Sequence, residues 1–222
     1  ADIDAPEAWD YTTGDSNIVI AVIDTGVDYN HDDLADNMWV NPGEVAGDGI
    51  DNDNNGYVDD VYGWDWAYGD SDPMDVHGHG THVSGTIGAV GDDGHGIAGV
   101  NWDVQVMALK FLGDSGSGST YGAIQAVNYL TMMKRDYGVN VVASNNSWGG
   151  GGYSSALRDA INNAGAQGVL FVAAAGNDGQ DTDADPHYPS GIDSPYVISV
   201  AATTRTDGRA SFSNYGENSV DL

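Results

Sequence analysis

Ile18-Val19-Ile20-Ala21-Val22-Ile23-Asp24-Thr25-Gly26 is a run of six apolar, mostly β-branched residues that stops on an aspartate and a glycine turn. A run this short, without polar alternation, reads as a strand covered on both faces, the pattern of a parallel sheet. Similar runs recur at Val104 to Leu112, Val139 to Ala143, Val169 to Ala175 and Tyr196 to Ala202. Between them lie stretches with helical spacing. These are His79 to Val90, Tyr121 to Tyr137 with Ile124, Val127, Leu130 and Met133 near one face, and Tyr153 to Ala166 with Leu157, Ile161 and Ala164. Strand alternating with helix predicts an α/β fold in three layers, a mostly parallel central sheet with right-handed crossovers and helices on both faces.

In such a sheet ligands bind beyond the carboxyl ends of the strands. The residues that follow the apolar runs there are Asp24, Ser147 with Trp148, and Asn177. Many of the 32 glycines fall in the same connections, at Gly113 to Gly118, Gly149 to Gly152 and Gly176 to Gly179. Glycine permits the tight turns and close approaches that a ligand-facing loop needs.

Composition narrows the function. The 222 residues, 41% hydrophobic, suffice for one substantial core, and no shift in composition divides them, so residues 1–222 read as one domain. With 34 acidic side chains against 6 basic ones and a formal charge of −28, the chain repels a phosphate backbone, which excludes nucleic acid as a partner. The apolar runs fall well short of the ~20 residues of a membrane span, and no basic segment leads into an apolar one at the start. A mature chain with no membrane partner is expected. Cysteine is absent, so disulfides and thiolate metal sites are excluded. The acid excess and the two lysines suit a secreted, extracellular protein of a saline, halophilic setting, with cation binding as a further use of the charge.

Three segments carry candidate chemistry. Val22-Ile23-Asp24-Thr25-Gly26 puts a carboxylate at the end of a buried strand, where it needs a donor; a histidine Nδ1 proton would serve, as would turn amides. Asp75-Val76-His77-Gly78-His79-Gly80-Thr81-His82 crowds three imidazoles at the start of a helix, suited to a general base near neutrality or to zinc. The zinc reading, a metallohydrolase, expects H-E-x-x-H, and Gly80 stands where that glutamate belongs. Ala173-Ala174-Ala175-Gly176-Asn177-Asp178-Gly179 places an amide after a strand, either a turn residue or a donor to a developing oxyanion.

Taken together, Asp24-Thr25-Gly26, His79-Gly80-Thr81-His82-Val83-Ser84-Gly85 and Ala174-Ala175-Gly176-Asn177, in that order, resemble the subtilase family of serine proteases over essentially the whole chain. The resemblance implies a subtilisin-like fold and an endopeptidase acting on extended polypeptide. It makes His79 the general base, Asp24 its partner and Asn177 the oxyanion donor. Asn146-Ser147-Trp148-Gly149-Gly150 matches the segment lining the primary specificity pocket, so Ser147, Trp148 and Gly149 are expected to bind substrate. Gly116, Ser117 and Gly118 match the edge with which an extended substrate pairs. Trp148 stands where an aliphatic residue is common, as a pocket wall or as core.

The family's nucleophilic serine lies in a G-T-S-M-A segment, which is not found in this sequence. Ser219-Val220-Asp221-Leu222 resembles the strand shortly before it, so the domain is expected to be incomplete at its C-terminus. The expected partners are then a polypeptide substrate, a C-terminal fragment of the same protease carrying the serine, and a propeptide or inhibitor. A pseudoprotease or peptide-binding module without turnover is the alternative.

Asp51-Asn52-Asp53-Asn54-Asn55-Gly56-Tyr57-Val58-Asp59-Asp60 reproduces D-x-D-x-N-G, the first half of a calcium loop in which alternate oxygens wrap a hard cation. Asp51, Asp53 and Asn55 are expected to supply side-chain oxygens, Tyr57 a carbonyl, and Asp59 or Asp60 to close the sphere. Position twelve is Tyr62, not glutamate, so a bidentate ligand must come from elsewhere. The family resemblance implies a second calcium, with Asp33, Asp92, Asp93 and Asp2 at the matching places.

Overall fold

The computed structural model describes residues 3–222. At its centre runs β1 (Gly14–Asp24), flanked by β3 (Asp103–Lys110) and β4 (Val141–Asn146). β2 (Gly63–Asp65) extends the sheet beyond β3, and β5 (Leu170–Ala174) with β6 (Val197–Val200) beyond β4. The order is β2-β3-β1-β4-β5-β6 and every pair is parallel. The expected strands are all present. Three-residue β2 was not legible: Gly63-Trp64-Asp65 has no apolar run of its own and becomes a strand only by pairing with Ala108 to Lys110.

The helices are a short α1 (Ala5–Trp9), α2 (His79–Gly88), α3 (Thr120–Tyr137) and α4 (Ser155–Ala166). Ser119 caps α3 by accepting from the Gly122 amide, and Ser154 caps α4 by accepting from Leu157. Two cores explain why β1 and β3 are apolar at nearly every position. Ala21, Ile23, Met107 and Leu109 face α3 and α4, meeting Val127, Leu130, Met133 and Ile161. Val22, Val106 and Ala108 face the other way, toward Val27, Leu34 and Met38, with Val83 and Ile87 of α2 packed against them.

The layer on the α2 side is narrower than the sheet. Phe171 and Ala173 of β5 lie in the α3/α4 core, whereas the intervening Val172 and Ala174 are only half-buried and Leu170 is 41% exposed. No residue of β4, β5 or β6 belongs to the second core. The helical covering on that side therefore reaches β1 and β3 only, among the described residues.

A candidate active site at the carboxyl ends of β1 and β4

The strand order reverses at β1, so the carboxyl ends of β1 and β4 open the crevice in which such sheets bind ligands. Asp24 ends β1 and is fully buried. His79 is the first residue of α2, and its Nδ1 lies 2.6 Å from Asp24 Oδ1. The same oxygen accepts from the Thr25 amide at 2.7 Å, while Oδ2 has no donor among the described residues. A carboxylate can only accept, so Nδ1 carries the proton and Nε2 is left as an acceptor on the exposed side of the ring. His79 is 43% exposed at its side chain, which lets Nε2 meet a ligand.

Glycine makes this contact possible. A Cβ on Gly80 would fall 2.1 Å from the Gly26 carbonyl oxygen, so only glycine lets the start of α2 close onto the turn after β1. Gly80 N donates to Thr25 Oγ1 at 2.9 Å across the same junction. Asp75 holds the approach to the helix, accepting from the His77 and Gly78 amides and from both Thr81 N and Thr81 Oγ1. Burial works against its ionisation, but these donors prevail and hold its pKa below the ordinary aspartate value.

A lysine unremarked in the sequence belongs to the same structure. Lys110 ends β3, in register with Asp24 on one side and Asp65 on the other, and is 1% exposed. Its Nζ donates to the Thr25 carbonyl at 2.9 Å and to that of Met74 at 3.2 Å, and stands 3.4 Å from Asp114. Burial pushes the Asp65 carboxyl up to about 6, against the opposing pull of the Tyr68 and Ala67 amides and the Lys110 charge. The signal was a charged residue inside a mostly apolar run, Val104 to Leu112.

Beside His79 lies a cleft of about 530 Å³. Gly116, Ser117 and Gly118 line one side and Ser147, Trp148 and Gly149 the other, so all six expected substrate residues face one space. Trp148 is both wall and core: it packs edge-on to Phe111 at 4.7 Å and to Phe171 at 6.4 Å while lining the cleft. Asn177 stands apart from these walls. It follows β5, is exposed, and makes no side-chain hydrogen bond among the described residues. His77 shares the cleft with its ring 6.3 Å from His79, and His82 is exposed. Among the described residues no zinc-like set forms from the three histidines; the one group of three or more convergent ligand atoms is acidic.

That group is Glu44, Asp51 and Asp53, with carboxylate oxygens within 4.8 Å of one another. Their donors are uncharged. Glu44 accepts from the amides of Asn52, Asp53 and Asp59. Asp51 accepts from those of Asn55 and Gly56. Asp53 accepts from the Asn55 amide and from the side chains of Asn41 and Asn55. Three carboxylates without a basic partner suit a hard cation such as calcium. Sequence reading missed Glu44, seven positions before the loop, though it required a further acid.

The other expected ligands make further contacts of their own. Asp59 accepts from the amides of Gly47, Asp48 and Gly49 and braces the preceding turn. Asp60 is fully buried and accepts from Asn41, Asn55 and, at 2.5 Å, Tyr129; burial raises its pKa to about 6 although all three donors oppose the shift. Tyr57 puts its ring against Trp64, Trp66 and Tyr129, and the Asn55 side-chain oxygen accepts from the Tyr57 amide. At the second expected site Asp33 accepts from the Ile97 amide and pairs with His95 at 3.1 Å. Asp92 and Asp93 are exposed and do not converge on it, and Asp2 lies outside the described residues.

The subtilase family profile matches residues 15–222. Thermitase of Thermoactinomyces vulgaris is 37% identical over 214 residues, 96% of this chain and 64% of thermitase. A thermophilic serine proteinase of Bacillus sp. (strain AK1) is 38% identical over 210 residues, 94% of this chain and 44% of that protein. Among solved structures, a protease of Pseudoalteromonas arctica superposes with a TM-score of 0.77 at 30% identity, covering 100% of this chain and 66% of that one. The chain thus spans less than two thirds of the length of both relatives. The buried Asp24–His79 contact beside the cleft and a family match over nearly every residue lead to one conclusion: the chain belongs to the subtilase family of serine proteases.

Proposed function

We propose that this chain carries the Asp–His pair and the oxyanion donor of a calcium-stabilised, secreted serine endopeptidase. The 2.6 Å contact between Asp24 Oδ1 and His79 Nδ1, at the edge of the cleft, carries the reading. In that role His79 Nε2 takes the proton of a serine hydroxyl as its oxygen attacks the peptide carbonyl, then returns it to the leaving amine. Asp24 stabilises the imidazolium formed between the two steps. The Asn177 amide, which has no side-chain hydrogen bond among the described residues, donates to the oxygen on which negative charge develops. An extended polypeptide lies between Gly116–Gly118 and Ser147–Gly149, pairing with both backbones.

The nucleophile is supplied from outside these 222 residues, by a C-terminal fragment of the same protease. The half-covered face of β4 to β6 is where such a segment packs, since it leaves Leu170, Val172 and Ala174 in want of cover. A propeptide or inhibitor would occupy the same cleft as substrate. With the serine present, peptide hydrolysis is expected to be abolished by a serine-directed reagent. Asn177→Ala is expected to lower kcat by about 10²–10³-fold with KM nearly unchanged. An effect confined to KM would remove Asn177 from the oxyanion role, and peptide binding without any turnover would favour the binding-module alternative.

Calcium is proposed at Glu44, Asp51 and Asp53, with loop carbonyls completing the shell; when bound it neutralises their mutual repulsion. At a calcium concentration ~100 times its Kd the wild type is expected to gain about 2.7 kcal/mol against urea. Glu44→Gln should forfeit most of that gain while remaining close to the wild type in chelator. Equal calcium gains in the two proteins would place the ion elsewhere.

A further inference from the structure

β4 and β5 are neighbours in register, and beyond their carboxyl ends the chain continues as Ser147-Trp148-Gly149-Gly150 and Ala175-Gly176-Asn177. If a peptide runs along Ser147–Gly149 with its scissile carbonyl at Asn177, the side chain of the residue before the scissile bond must leave between these two segments. That slot already holds a side chain. A Cβ on Gly149 would fall 2.3 Å from His187 Cε1 and 2.5 Å from Nε2. A Cβ on Gly176 would fall 3.0 Å from the same Nε2 and 3.1 Å from Cδ2. One imidazole therefore touches the glycine of each segment, wedged where a substrate side chain would enter.

The wedge is held in place. His187 Nδ1 is 3.1 Å from Ser190 Oγ, and the His187 carbonyl accepts from the Gly191 amide at 2.6 Å. The next residue is tied to the cleft itself: Gly150 N donates to the Tyr188 carbonyl at 3.1 Å. Ser190 is buried, and the adjoining Tyr188 packs against the main core, so the ring is mounted on a fixed segment and not on a free loop.

We infer that His187 determines substrate specificity by filling the slot between Gly149 and Gly176, so that the protease accepts only a small side chain before the scissile bond. The inference rests on the peptidase reading above. The imidazole lies against both glycines, so an aromatic ring entering between them would need the space it holds, whereas a methyl asks for far less.

The test compares two peptide p-nitroanilides differing only in the last residue, alanine or phenylalanine, with the complete protease. The wild type is expected to favour alanine at least ~10-fold in kcat/KM, and His187→Gly to shift the phenylalanine-to-alanine ratio upward by about 100-fold. His187→Gln, of similar volume, should keep the wild-type ratio, and near-UV circular dichroism verifies that each variant is folded. A wild type that prefers phenylalanine, or a ratio unmoved in His187→Gly, would overturn the role of His187 and leave the peptidase reading intact. Failure of the wild type to cleave either peptide or denatured casein would instead overturn the peptidase reading and the inference with it.

Discussion

In the complete protease proposed above, Asp24→Asn is expected to lower kcat/KM for peptide hydrolysis by about 10⁴-fold while leaving the fold intact. An asparagine has the right shape for the site, but Asp24 Oδ1 serves both the Thr25 amide at 2.7 Å and His79 Nδ1 at 2.6 Å, so the amide must present one end to both. With its oxygen there it keeps both donors but takes the buried negative charge away from the imidazolium. With its NH₂ there it leaves the Thr25 amide without an acceptor and meets His79 as a donor, which moves the ring proton to Nε2, the nitrogen that must take the proton of a serine. Either orientation weakens His79 as a base. Single-turnover rates on an activated ester, alongside a melting curve, measure the effect. A loss under ~10-fold with an unchanged melting point would mean that Asp24 is a structural acceptor and that the catalytic base lies elsewhere.

The second large effect is on stability. Lys110→Met is expected to destabilise the protein by about 3–5 kcal/mol, the range for removing one partner from a buried charged group. Methionine fills the volume but leaves the Thr25 and Met74 carbonyls without their donor and takes away the positive charge beside Asp65. The loss should depend on pH, and its sign follows from Asp65. Its folded pKa, about 6, exceeds the ordinary 3.8, so the native state binds more protons than the unfolded chain between these values. Stability contributed through Asp65 is therefore full at low pH and falls as pH rises through this window. Without Lys110 the folded pKa rises further and the fall extends to higher pH, so the variant's deficit should be larger at pH 8 than at pH 5 in urea melts. An equal deficit at both values would assign the whole effect to the two orphaned carbonyls, and no deficit would show that Lys110 is dispensable.

These residues also show where local information ends. Ile18 to Ile23 is readable because a strand buried on both faces must be apolar at every position, and the structure divides those side chains between two cores. The helices at 79–88, 120–137 and 155–166 are readable because one turn of helix repeats within the sequence window itself. β2 has no such signature, since what makes Gly63-Trp64-Asp65 a strand is a partner more than forty residues away. Within the calcium-type loop, the D-x-D-x-N-G spacing dictates that Asp51 and Asp53 lie close together, being two residues apart on a tight turn. It says nothing of which more distant acid folds back, and the structure supplies Glu44 while turning Asp59 toward amides and Asp60 into a buried hub with Tyr129.

The sequence by itself determined the α/β class, the strand that carries Asp24, the helix that begins with His79, and the acidic loop, because periodicity, capping and charge act over a few residues along the chain. Only the tertiary structure decided that Asp24 and His79 touch across 55 positions, that Lys110 lies buried beside them, and that His187 enters the slot between Gly149 and Gly176. Each of these depends on distances between segments, and such distances are set by how the sheet and its two cores pack, a property that no single stretch of the chain contains.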